Sequence, residues 1–164
     1  MVQDAKGTVA LERSYRMLRM LSDCNRILVR STDESRLLND LCRLLLEQGG
    51  CTAVWVGIVQ DDITGTVRTA AHAGFQENIP AAFGLSERES DAAFEAWVAQ
   101  VIRTGQMQCC DDPFRAFAGM RRTFASQQGD VLSLLCFPLV SPSATIGAAT
   151  LIVPEPGPHP DEIL

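Results

Sequence analysis

The chain has little of what metal centres and nucleic-acid surfaces require. Its 164 residues include only two histidines, His72 and His159, and its six cysteines form no Cys-x-x-Cys pair. Tetrahedral metal sites need such spacings, so no metal site is predicted. The net charge of -6 argues against a nucleic-acid partner, which requires a basic patch. An apolar content of 46% is that of an ordinary globular domain.

Long apolar runs are also missing. No run approaches the roughly 20 apolar residues that a membrane span needs, and the first six residues lack the apolar core of a secretory signal. We therefore expect a cytoplasmic protein without a membrane span. In that compartment the six cysteines are expected to be reduced and to act mainly as small buried hydrophobes.

Motifs for common catalytic chemistry are absent as well. The sequence has no G-x-S-x-G elbow, no phosphate-binding glycine loop and no H-E-x-x-H. Asp111 and Asp112 are adjacent, and with Pro113 behind them they are typical of a helix start rather than of an acid–base pair. Acyl-transfer and phosphoryl-transfer enzymes are not predicted.

A first helix is predicted over Leu11–Arg30, which contains neither glycine nor proline. Apolar residues follow one another there by alternating steps of four and three, as in a coiled coil. We expect this helix to pair with a second copy of the chain, although it can also lie on its own domain. The candidate dimer positions are Met17, Leu21, Cys24 and Leu28.

The elements predicted after this helix are both helices and strands, as the spacing of their apolar residues indicates. A capping box formed by Ser31 and Glu34 predicts a helix over residues 33–47, which ends at Gly49-Gly50. In the second predicted strand, alternation places Val67, Thr69, Ala71 and Ala73 on one face. The predicted elements after helix 33–47 are strands 53–59 and 66–73, helix 91–104, strand 107–110, one helix opened by Asp112 that contains Phe114, Phe117 and Phe124, and a hairpin of strands 131–140 and 146–153.

Three segments resemble the GAF domain family. Strand 53–59, directly after Gly49-Gly50, is similar to the family's first strand. Residues 103–112 are similar to its helix, Thr-Gly, short strand and Asp passage. Residues 133–139 and 146–151 resemble its closing strand pair, with Pro138 and Gly147 at the family's positions. The resemblance implies an α+β fold, a central antiparallel sheet with helices on both faces, at residues 32–154, between an N-terminal helix (1–31) and a proline-rich exit (155–164).

The family also implies a function. GAF modules bind cyclic nucleotides, tetrapyrroles, haem or metabolites between the sheet and its helices, or serve only as dimerisation units. They regulate histidine kinases, cyclic-di-GMP synthases or phosphodiesterases, and transcription activators. This chain has no Cys-His dipeptide for a bilin, and its single lysine, Lys6, excludes the Asn-Lys-Phe-Asp-Glu motif of cyclic-nucleotide binders. No cofactor is therefore identified, and a homodimer with signalling domains in the same chain is expected.

By position in that fold, the resemblance gives a set of candidate pocket residues on one side of the sheet. They are Trp55, His72, Phe75, Phe94, Trp97, Cys110, Phe114, Leu134 and Cys136. The same residues also describe a filled core, which would make the chain a scaffold without ligand. A third possibility is a thiol-dependent reductase, as in the GAF enzymes that reduce free methionine sulfoxide, or a redox pair of Cys110 and Cys136.

Overall fold

A computed structural model of the chain describes residues 15–16, 18–27, 33–61, 65–75, 92–123 and 132–154. Residues 15–16 and 18–27 are helical, as the sequence predicts for that region. None of the helices within the described ranges is long and apolar enough to cross a membrane. The elements that follow are α1 (Glu34–Gln48), β1 (Ala53–Val59), β2 (Val67–Ala73), α2 (Ala92–Thr104), β3 (Gln108–Cys110), α3 (Pro113–Ala116), α4 (Ala118–Thr123), β4 (Ser133–Val140) and β5 (Thr145–Val153).

The five strands form one antiparallel sheet in the order β2-β1-β5-β4-β3. Its two central strands, β1 and β5, pair from Ala53↔Ile152 to Ile58↔Gly147. The backbones approach closely there, since a Cβ on Gly147 would lie 2.2 Å from the Gly57 carbonyl oxygen. Glycine at position 147 is therefore required by the packing of the two central strands.

Helices cover both faces of the sheet, which confirms the predicted α+β fold class. On one face, α1 packs against β1 and β2, and its buried Cys42 joins Val54, Val56 and Ala71. On the other face, α2 packs against β4 and β5. We call this second side the aromatic face, because its core is built around Trp55, Phe94, Trp97 and Phe117. Burial of these two apolar layers is the main stabilising contribution to the fold.

A β-bulge corrects the predicted face of strand β2. Val56 pairs with Ala71, but the next residue, Gly57, pairs with Thr69, so one residue of β2 has no partner. Beyond such a bulge the side chains reverse their faces. Ala71 and Ala73 consequently pack on the α1 side, whereas Val67 packs against the aromatic face. The prediction that Val67, Thr69, Ala71 and Ala73 share one face is wrong for this reason.

The helix predicted after Asp112 is interrupted. Asp112 and Pro113 do begin it, with the Asp112 carboxylate accepting from the Arg115 N–H. Phe117, however, is extended, with φ -128 and ψ 115, and divides the segment into α3 and α4. Its side chain is 4% exposed, so burial of the ring in the aromatic core outweighs continuation of the helix. Phe124 lies outside the described residues.

The cap of α1 also differs from the prediction. Asp33, rather than Ser31, is the N-cap, and its side chain accepts from the Ser35 N–H at 2.9 Å. Glu34 is then the first helical residue and cannot take the third position of a capping box. Ser31 and the proline-rich exit lie outside the described residues.

Candidate functional site

The structure brings eight of the nine candidate pocket residues together in one cluster on the aromatic face. Half of them are buried, and we call these the floor residues; the other half are partly buried, and we call these the rim residues. The floor residues are Trp55, Phe94, Leu134 and Cys136. The rim residues are Phe75, Trp97, Cys110 and Phe114. Apolar and aromatic side chains of this kind line small-molecule sites in proteins, and the same composition also fills an ordinary core.

Phe94 is the centre of the floor. Its ring contacts Trp55 and Trp97 at centroid distances of 5.9 Å each, and Phe117 at 5.5 Å. The contacts with Trp55 and Phe117 are edge-to-face, the arrangement in which the positive edge of one ring meets the negative face of another. The cluster thus connects strand β1, helix α2 and the α3–α4 junction through one side chain.

Trp55 is positioned by two features of the hairpin. Its indole N–H donates to the Thr69 hydroxyl at 2.8 Å, a contact that depends on the bulge which turns Thr69 towards the aromatic face. Its six-membered ring lies over Gly57, where a Cβ would be 2.4 Å from the nearest ring carbon. The indole can lie flat along the sheet only because position 57 has no side chain.

Two buried polar groups of β4 and β5 were not among the candidates. Thr150 lies on the aromatic face, whereas Ser133 pairs with Val153 and lies on the α1 side of the sheet. The Thr150 hydroxyl, 1% exposed, donates to the Cys136 sulfur at 3.4 Å. The Ser133 hydroxyl, fully buried, donates to the Asp111 carboxylate at 3.3 Å. The signal for Thr150 was available, because it falls on the same strand face as the buried Ala148 and Ile152. Phe117 and Met120 are buried in the same cluster, and they were missed because the break between α3 and α4 was not predicted.

His72 is the candidate that lies outside this cluster. It pairs with Trp55 in the sheet but belongs to edge strand β2, and its side chain is exposed. Its ring contacts Phe75 at 6.0 Å in an edge-to-face arrangement. Partial burial lowers the pKa of His72 below its ordinary value of 6.5. The imidazole is therefore mostly neutral near pH 7, at the outer margin of the rim.

The cysteines do not form an activated thiol group. Burial raises the pKa of all six thiols above the ordinary value of 9.0. A catalytic cysteine needs the opposite, a pKa lowered enough for the thiolate to form near neutral pH. The pKa of Cys109 is raised to about 12, by burial and then by its hydrogen bond to the Asp111 carboxylate. Each of these thiols is protonated at neutral pH.

The sheet register also disfavours a disulfide between Cys110 and Cys136. Cys110 pairs with Leu134, whereas Cys136 pairs with Gln108, so the two cysteines are diagonal neighbours. Diagonal Cα atoms in an antiparallel pair are roughly 7–8 Å apart, beyond the usual span of a disulfide. The pair would need a shift of the short strand β3 before it could be oxidised.

We expect the fold to lose stability between pH 9 and pH 11. Burial raises the pKa of Cys42, Cys51 and Cys136 to about 11, against an ordinary value of 9.0 for a thiol in the unfolded chain. The stability that these protonated thiols contribute is complete below pH 9 and is lost as the pH rises through about 11. Urea midpoints at pH 8.0, 9.5 and 10.5 under reducing conditions should fall progressively.

The composition makes this measurement specific to thiols. The sequence has one lysine and one tyrosine, and arginine does not titrate in this range. A Cys42→Ala variant should show a shallower decline relative to its own value at pH 8.0. Midpoints that stay constant up to pH 10.5 would show that the thiols titrate as they do in water.

A search of protein-family sequence models matches residues 31–163 to the GAF domain. No curated protein sequence matches the chain significantly. Among solved structures, the GAF domain of a phosphoenolpyruvate-protein phosphotransferase (ptsP) from Coxiella burnetii is 16% identical with a TM-score of 0.66, covering 91% of this chain and 85% of that chain. The GAF domain of A. Aeolicus nlh2 in an inactive state is 13% identical with a TM-score of 0.62, covering 85% and 80%.

A third similar structure is the GAF domain/HD domain protein from Geobacter sulfurreducens. It is 21% identical with a TM-score of 0.52, covering 78% of this chain and 80% of that chain. At these identities the structural similarity establishes a shared fold. The family match covers most of the chain and agrees with the element order of the sheet and helices described above.

Proposed function

This chain belongs to the GAF domain family, and we propose that it is a regulatory sensory module that binds a small molecule on the aromatic face. The observation that carries the proposal is the division of one aromatic cluster into a buried floor and a partly buried rim. Trp97 and Phe114 of the rim belong to α2 and α3, while Trp55 of the floor belongs to central strand β1. A molecule seated at the rim would therefore contact the helices and be connected to the sheet through Phe94.

The module is proposed to be non-catalytic. The raised thiol pKa values support this, because a thiol-dependent reductase needs a cysteine that is ionised near neutral pH. The free cysteines among the described residues also fit the proposed cytoplasmic location, where thiols stay reduced. The output domain is proposed to be a histidine kinase, a cyclic-di-GMP enzyme or a transcription activator.

A library of cellular metabolites, screened by thermal shift, tests the sensory role. A molecule that binds the folded state at 100 times its Kd stabilises it by about 2.7 kcal/mol, which raises the melting temperature by several degrees. We expect at least one compound to do so with the natural chain, and to lose most of its effect with Trp97→Ala. Arg103→Ala, an exposed position on the same helix, should leave the effect unchanged.

Two results would oppose the proposal. If no compound stabilises the chain, the aromatic face is a filled core and the module is a scaffold. If a compound acts equally on the natural chain and on Trp97→Ala, the rim does not bind it. An Ala variant that melts at a lower temperature still reports binding, because each shift is measured against the same variant without compound.

We further propose that the N-terminal helical segment forms the homodimer interface. Its apolar side chains include Tyr15, Leu18 and Leu21, which are 68%, 67% and 51% exposed. Burial of such residues against a second copy would contribute roughly 1.5–3 kcal/mol for each side chain fully removed from water. Of the predicted dimer positions, Leu21 is exposed and Cys24 is half-buried, and Met17 and Leu28 lie outside the described residues.

We expect Leu21→Glu to convert a dimer into a monomer, because it places a charge in the apolar contact. Light scattering coupled to size-exclusion chromatography gives the mass directly. Arg26→Gln, which makes the same change in charge at an exposed position on the other side of the helix from Leu21, should leave the dimer intact. A natural chain that is monomeric at high micromolar concentration, or a Leu21→Glu dimer, would place the interface elsewhere.

A further inference from the structure

A cleft of about 370 Å³ separates the N-terminal helical segment from the end of α1. We call it the charged cleft, and it is lined by Arg16, Arg19, Glu47, Gln48 and Gly50. The arginines belong to the helical segment, whereas Glu47 and Gln48 belong to the last turn of α1. Two consecutive antiparallel helices place such residues opposite each other at the open end of their hairpin.

The two walls of the charged cleft carry opposite charges. The last turn of α1 has no basic residue and contains Glu47, so a carboxylate adds to the negative end of the helix dipole. A positive charge near the C-terminus of a helix stabilises the helix. Arg16 and Arg19, on the opposite wall of the cleft, carry such charges. Among the described residues, no ion pair joins either arginine to Glu47, whereas Arg26 of the same segment is paired with Asp23 at 3.3 Å.

We propose that the charged cleft is an electrostatic latch, which closes when Arg16 and Arg19 pair with Glu47 and which holds the N-terminal helical segment against α1. An arginine side chain is long enough to close such a gap by a change of rotamer, and its guanidinium is always charged. The latch lies where α1 leads through Gly49 and Gly50 into β1, the strand that carries Trp55 to the aromatic face.

The latch is weak because its charged groups are exposed to solvent. Exposed ion pairs contribute little individually and are screened by salt, so the closed and open states are expected to differ only a few-fold in population. A ligand or a neighbouring domain can reverse such a small difference in population. It needs only to bind one of the two states a few-fold more tightly than the other. A stronger, buried pair would fix the helix in one position.

Hydrogen exchange of the full chain tests the latch, measured on the amides of residues 18–27 at low ionic strength. Glu47→Arg is expected to reduce their protection roughly two- to fivefold. The double variant Arg16→Glu, Arg19→Glu should do the same. Combining all three changes reverses the sign of each charge and should restore protection. In 0.5 M NaCl the natural chain and Glu47→Arg should become alike.

Amides of α2, on the opposite side of the sheet, show whether each variant is folded and should keep their protection throughout. Unchanged protection of residues 18–27 in Glu47→Arg at low salt would overturn the latch, and so would a triple variant no better protected than Glu47→Arg. Inorganic phosphate, added at constant ionic strength, tests a second possibility, namely that the two arginines bind an anion. Saturable protection by phosphate that is lost in Arg16→Gln, Arg19→Gln would show an anion site instead. No sensory ligand is used, so this test can fail while the proposed sensory role stands.

Discussion

Replacement of Phe94 by alanine is expected to lower the free energy of unfolding by about 3–5 kcal/mol. Phe94 is 1% exposed and contacts three aromatic rings at 5.5–5.9 Å. Its removal leaves a cavity that the rigid rings of Trp55 and Phe117 cannot fill by small movements. Since domains of this size are stable by only about 5–15 kcal/mol, the loss should be evident in urea unfolding at 25 °C.

Two companion variants separate burial from ring contacts. Phe94→Leu keeps most of the apolar volume and is expected to cost less than half as much as Phe94→Ala. Gln100→Ala, at an exposed position of the same helix, should change stability by no more than about 0.5 kcal/mol. If Phe94→Ala costs under 1 kcal/mol, Phe94 does not organise the aromatic face.

Replacement of Gly74 by alanine is expected to be the most damaging change at a glycine that follows a strand. Gly74 has φ +83, and a Cβ there would lie 2.4 Å from the Thr52 carbonyl oxygen and 2.8 Å from the Ala53 Cα. Both are backbone atoms at the start of β1 and cannot move away as a flexible side chain would. Conformational strain and steric overlap therefore add together.

Gly65→Ala is the matched control, because it has the conformational strain without the overlap. Its φ is +60, and nothing lies within 4 Å of the Cβ position. We expect Gly65→Ala to cost about 1–2 kcal/mol and Gly74→Ala roughly 1–3 kcal/mol more. Both are measured by urea unfolding, and equal losses would show that β1 and the end of β2 are not as closely packed as described.

Sequence patterns were sufficient for elements whose periodicity is uninterrupted. Strand β1 has the predicted bounds, and α2, described from Ala92, ends at the predicted Thr104. The GAF resemblance, carried by Gly49-Gly50, Pro138 and Gly147, is confirmed by the family match. Such elements are defined locally, by side chains that alternate or repeat along a single segment.

Features that depend on tertiary packing could not be predicted from such local patterns. The bulge in β2 reflects pairing with β1, and strict alternation gives no sign of it. The break at Phe117 has the same kind of cause, because the ring is buried against Phe94 and Trp97 from other parts of the chain. Candidate site residues were placed through the fold, so an exposed edge-strand residue, His72, entered the set, while Phe117 did not.

Native mass spectrometry is the most direct measurement of the proposed sensory role. The chain would be incubated with a cell extract, purified under non-reducing conditions, and compared with Trp97→Ala treated identically. We predict one small molecule retained by each natural chain and absent from the Trp97→Ala chains. Masses of the bare polypeptide alone, or equal retention by both proteins, would contradict a ligand site on the aromatic face.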